Sequence, residues 1–138
     1  MRIGKLAAEA GVGVETVRFY ESKDLIAQPI RPTGGGYRDY PVSVLDRIRF
    51  IRSAQQLGFS LKEVKDLLAL DSDLQTQCGD VRGRAETKLR EVEKKIRGLT
   101  RMRVALVRLI DHCPGDGPAR RCSILNELRA SDPPHARP

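Results

Sequence analysis

The sequence predicts a mainly α protein in two parts, a winged helix-turn-helix over residues 1-70 and a long dimerisation helix over residues 80-112. Three observations carry this. Aromatics are scarce, with no Trp, three Tyr and three Phe, while Lys, Arg, Glu and Leu abound, a composition of helices rather than of β-sandwiches. Apolar residues recur at helical spacing in short stretches separated by glycine. Between Asp80 and His112 there is no proline, and apolar residues recur on a heptad frame.

The elements follow in order. Ile3, Leu6, Ala7 and Ala10 recur at three and four, and Gly11 supplies a stop. Glu15 opens a second stretch with Val17, Tyr20 and Leu25 or Ile26 inward and Thr16, Arg18, Glu21 and Lys23 outward, so two short helices meet across a glycine turn. Pro29, Pro32, Gly34, Gly35 and Gly36 exclude a helix over residues 27–43, and Tyr37 and Tyr40 beside the glycines suit a short β-hairpin, the wing. Ser43 is placed to cap the next helix, with Val44, Ile48, Ile51 and Ala54 or Gln55 on its inner face and Gly58 at its end. Ser60-Leu61-Lys62-Glu63 reads as a capping box opening a helix through Leu70.

Residues 71-79 form a polar connector. Beyond it Leu89, Val92, Ile96, Leu99, Leu106 and Ile110 mark a heptad seam, with Arg103 in the missing slot. A helix of this length extends about 50 Å, and its apolar seam demands a partner helix, parallel or antiparallel, making the chain a homodimer. The helix stops at the loop from Cys113 to Pro118. Ser123 to Arg129 can form a short terminal helix, and residues 131-138 have the composition of a disordered tail.

The net charge of +7 favours an anionic partner. Its excess divides as +3 up to residue 70 and +4 beyond, so charge alone locates no site. No apolar run reaches the 18 or so residues of a membrane span, and no secretory signal opens the chain, so the expectation is a soluble cytoplasmic protein without membrane contact.

An amino-terminal helix-turn-helix presents Thr16, Arg18 and Lys23 on its second helix, a shape that fits the major groove of double-stranded DNA, and a wing carrying Arg38 and Tyr40 would reach the backbone. Four motifs in order, Ile3-Gly4-Lys5-Leu6-Ala7, Val14-Glu15-Thr16-Val17-Arg18-Phe19-Tyr20-Glu21, Gly36-Tyr37-Arg38-Asp39-Tyr40 and Leu57-Gly58-Phe59-Ser60-Leu61-Lys62-Glu63-Val64, resemble the signatures of the MerR family of transcription regulators. The resemblance implies an antiparallel coiled-coil dimer, a carboxy-terminal effector site, and promoter DNA as partner, with RNA polymerase at the same promoter. It also implies DNA contacts by Arg18 and Tyr20 from the second helix and by Arg38 and Tyr40 from the wing. Asp24 stands where the family commonly has glycine, a position that aspartate tolerates in a left-handed conformation.

Three cysteines, Cys78, Cys113 and Cys122, lie off the apolar stripes, and an odd count with no export signal points to thiol or metal chemistry rather than a disulfide framework. In one chain a continuous helix would hold Cys78 and Cys113 about 50 Å apart. In an antiparallel pair, Cys78 of one protomer meets Cys113 and Cys122 of the other, giving two intersubunit sites on a metal-binding loop over residues 113-130. Thiolates select soft ions, and three of them leave one net negative charge around a divalent ion but two around Cu(I). The resemblance sharpens the choice. Divalent-metal branches of the family have a cysteine matching Cys78, and the 35- and nine-position steps match mercury sensors, so Hg(II) is the expected ion, with Pb(II), Cd(II) or Zn(II) as alternatives. His112 reads as a helix-end residue and Asp116 as a loop oxygen rather than as ligands.

The competing class is a thiol-dependent redox or metal-detoxifying protein. Against any enzyme stand the absence of a Cys-x-x-Cys pair, of a glycine-rich nucleotide fingerprint and of a triad, since the only histidines are His112 and His135.

Overall fold

In a computed structural model, which describes residues 1–130, helices account for almost every regular element. The order is α1 (Ile3–Ala10), α2 (Val14–Ser22), α3 (Val42–Gln56), α4 (Leu61–Ser72), α5 (Cys78–Asp111), a 3-10 turn at Ala119–Arg121 and α6 (Ser123–Ala130). The expected tail over residues 131-138 lies outside the described residues.

Two compact units divide the chain, Met1–Lys88 and Leu89 onward. In the first, α1 to α4 bury one apolar core in which Leu6, Val17, Leu25, Ile48, Ile51 and Val64 are fully enclosed. Leu6, Val17, Ile48 and Ile51 come from inner stripes read in the sequence, so periodicity and burial agree there, and Leu25 and Ile26 are both buried. Gly11 at φ 71 closes α1 by accepting the left-handed conformation that ends a helix. Asp24 does the same after α2, at φ 58.

The capping box of α4 forms as expected: Ser60 Oγ accepts from the Glu63 N–H, and Glu63 Oε1 accepts from the Ser60 N–H at 2.8 Å. At α3 the expectation fails. That helix opens at Val42 with Pro41 in the cap position and no side-chain cap, which leaves Ser43 inside the first turn. Proline's fixed φ and missing N–H make the residue after it a ready helix start.

The expected β-hairpin is likewise corrected. No strand forms among the described residues, and the wing is an irregular loop from Ala27 to Tyr40. Gly34, Gly35 and Gly36 all have positive φ, so the chain turns through three residues without aligning two strands. The Tyr40 N–H, which a hairpin would use across the turn, bonds instead to the Met1 carbonyl at 2.7 Å.

Helix α4 runs two residues past Leu70, and α5 begins at Cys78 rather than Asp80, shortening the connector. Asp80 Oδ2 accepts from the Gln77 N–H at 3.0 Å, which favours this earlier start. In the second unit no described residue is buried, and Leu89, Ile96, Leu99, Leu106 and Ile110 are all exposed by more than half. Among the described residues no helix is long and apolar enough to cross a membrane.

Candidate nucleic-acid interface and thiol site

Helix α2 and the wing loop enclose a pocket of about 510 Å³ whose lining includes Arg18, Arg31, Arg38, Gln28, Glu21 and Tyr40. Three guanidinium groups against one carboxylate make it cationic. Arg38 is half-buried, and its Nε is enclosed with no hydrogen-bond partner in the chain. An enclosed charged N–H without an acceptor is costly, and an incoming anion oxygen would satisfy it. Arg18 and Lys23 are exposed on α2, Lys23 with its Nζ 5.6 Å from the Phe19 ring centre, and Thr16 is half-buried. Arg2 stacks on Tyr37 at 4.0 Å, holding the wing against the start of α1.

Tyr20 and Tyr40, expected among the DNA contacts, turn their hydroxyls to partners within the chain. Both rings are buried. Tyr20 donates from its hydroxyl to Gln55 Oε1 at 3.0 Å, tying α2 to α3, and burial raises its pKa. Tyr40 donates to the Glu21 carboxylate, and burial, followed by that hydrogen bond, pushes its pKa to about 12. In the chain alone these tyrosines pin the reading surface from behind, because a ring with a polar tip is stable inside once the hydroxyl finds a partner. Sequence reasoning missed Gln28 and Arg31, which lie in a proline-rich stretch with no periodicity to assign them a face.

The second cluster lies at the end of α5. Pro114, Gly115 and Gly117 turn the chain back, with positive φ at both glycines, and the 3-10 turn delivers Cys122 to the start of α6. The Cys113 side chain lies close enough to Cys122 to contribute to lowering its thiol pKa. Hydrogen bonds from the Leu125 and Ile124 N–H groups, before that of Cys113, lower the Cys122 pKa, because first-turn amides stabilise a thiolate at a helix N-terminus. Ser123 Oγ donates to the His112 carbonyl at 3.1 Å, closing the base of the loop. His112 Nδ1 lies 2.7 Å from the Arg108 carbonyl oxygen, a helix-end contact, and Asp116 is exposed.

Cys78, the third thiol, is exposed at the first turn of α5 in the other unit. Among the described residues no three His, Cys, Asp or Glu side chains converge within one chain. The chain alone therefore brings two of the three cysteines together, in a soft-donor pair with one thiol already biased toward thiolate.

Comparison with known proteins places these features in a lineage. The family model described as MerR HTH family regulatory protein matches residues 1–71, and that described as MerR, DNA binding matches residues 45–109. The chain is 41% identical over 131 residues to the mercuric resistance operon regulatory protein of Pseudomonas fluorescens, covering 95% of this chain and 86% of that protein. Two solved structures are similar over nearly their whole length, both at 35% identity. One is the transcription regulator PbrR691 of Ralstonia metallidurans CH34 in complex with lead(II), with a TM-score of 0.82 and coverage of 93% of this chain and 98% of that one. The other is MerR of Bacillus megaterium MB1 in complex with mercury(II), with a TM-score of 0.71 and coverage of 94% and 99%.

Proposed function

Because this chain belongs to the MerR family of helix-turn-helix, DNA-binding transcription regulators, we propose that it is a cytoplasmic homodimer that switches promoter output on binding a soft divalent metal ion, Hg(II) first. Thr16, Arg18, Lys23 and Arg38 face the DNA, with the unpartnered Arg38 Nε taking a backbone phosphate, and Tyr20 and Tyr40 hold that surface in place. RNA polymerase shares the promoter.

The observation that carries the metal reading is the Cys113–Cys122 thiol pair, with the Cys122 thiolate stabilised by the first-turn amides of α6. Cys78 of the partner completes the site, so a protomer's two ends belong to different sites and each dimer holds two ions. A ligand shared by both chains binds one arrangement of the dimer better than another, which is the differential affinity that a switch requires. A pair of soft sulfur donors held together suits Hg(II), and the mercury-resistance regulators among the relatives support it. Pb(II) is the second reading, since the lead(II)-bound regulator is a close structural likeness.

The test is a mixed dimer assembled from Cys78→Ser and Cys122→Ser protomers and titrated with Hg(II). Wild type should take up two tightly bound ions per dimer, each homodimeric variant none, and the mixed dimer one. Uptake of no ion by the mixed dimer would refute the intersubunit site.

A further inference from the structure

Lys88 is the only buried charged residue among the described residues, and its side chain touches three successive features of the corner between α3 and α4. Its stem lies 3.8 Å from where a Cβ on Gly58 would stand. Its Nζ sits 5.5 Å from the Phe59 ring centre and 2.8 Å from Glu63 Oε1. That same carboxylate oxygen accepts the Ser60 N–H at 2.8 Å, so one atom of Glu63 serves both the α4 cap and the α5 lysine. One turn earlier on the same face of α5, Arg84 Nη1 lies 3.7 Å from Asp66 Oδ2, but both side chains are about half exposed and such a pair contributes little. Of these two ion pairs between α5 and the corner, that of Lys88 is therefore the stronger.

Cys78 stands ten residues earlier on the same helix and in the same compact unit. A helix is stiff over that distance, about 15 Å, so displacement of Cys78 is felt at Lys88. From the corner the next link is short: Gln55, three residues before Gly58, accepts from Tyr20, which stands on the DNA-facing helix α2.

We infer that the Lys88–Glu63 ion pair is the joint through which α5 moves the DNA-reading surface when metal binds, so that Lys88 is a positioning residue for regulation and for neither binding event. The inference rests on the metal reading in that Cys78 is taken as the point of load.

The test compares wild type with Lys88→Met, which keeps the apolar stem, and Glu63→Gln, which keeps an oxygen for the Ser60 N–H. Each full-length protein is given Hg(II) and a duplex selected from a random pool by wild type, labelled at both ends for energy transfer. Hg(II) affinity and metal-free duplex affinity should stay within about twofold of wild type, while the metal-induced change in energy transfer falls at least fivefold. The double variant should be no worse than either single one, and Lys88→Arg should restore most of the response. A full response in Lys88→Met overturns the inference, as does a response lost only in step with DNA affinity or thermal stability. If wild type takes up no Hg(II), the metal reading fails by itself and the joint is read without metal. Lys88→Met should then speed amide exchange in residues 79–88 at least tenfold and leave α1 unchanged; unaltered exchange in residues 79–88 overturns it.

Discussion

The two compact units solve opposite problems. Residues 1–88 enclose every buried apolar side chain among the described residues and satisfy their core within one chain. Residues 89–130 form one long helical segment and a hairpin-like return, and leave Leu89, Ile96, Leu99, Met102, Leu106 and Ile110 in the open. A contiguous apolar stripe of that kind on a monomer marks an association surface. The difference teaches where each half finds its stability: the first in its own fold, the second, on the reading proposed above, in another chain.

Breaking the second half should have the largest effect. Leu99→Glu combined with Leu106→Glu puts two like charges into the seam, and sedimentation equilibrium should show dimer association weakened by more than about a thousandfold, roughly 4 kcal/mol. Wild-type dimers at the same concentration would place the seam elsewhere if the variant matched them. The comparison sharpens with paired truncations. Leu6→Ala should lower unfolding free energy by about 2–5 kcal/mol at any protein concentration, because its neighbours belong to its own chain. Leu99→Ala should cost an amount that changes with protein concentration, since mass action links its burial to assembly.

The smallest effect is a pH dependence confined to the first half. Glu63 has its pKa lowered to about 2, first by the Lys88 ammonium and then by the Ser60 N–H. A carboxylate depressed in the folded state stabilises above its unfolded pKa of about 4.3 and loses that contribution as pH falls toward 2. Denaturant midpoints of wild type should thus decline across that window more steeply than those of Glu63→Gln. Parallel profiles for the two proteins would show that the pair adds nothing to stability.

Much of this architecture was legible in advance. Helix stops at Gly11 and Asp24, the Ser60–Glu63 capping box and the inner stripes depend on backbone geometry and periodicity, which sequence displays directly. The β-hairpin was misread because proline and glycine report a turn but not where its N–H groups go, and the partner of Tyr40 is Met1, 39 positions away. Among site residues, the chemistry of the three thiols was readable and their surroundings were not. The amides that bias Cys122 come from the first turn of α6, and the inward bonding of Tyr20 and Tyr40 depends on Gln55 and Glu21 meeting them in space. Nothing in the sequence marked Lys88 as a contact of α4. A lysine beside a heptad seam looks solvated, and only the tertiary position of α4 makes it an anchor.

The boundary at Lys88 makes α5 a graduated spacer. Up to that residue the helix belongs to the first compact unit, and from Leu89 the exposed apolar seam begins. In the antiparallel dimer proposed above, inserting one heptad after Lys88 keeps the seam in phase and lengthens each helix by about 10 Å. That length corresponds to about three base pairs at 3.4 Å each, so on the proposed dimer the length of this helix sets the spacing of the two DNA-binding heads.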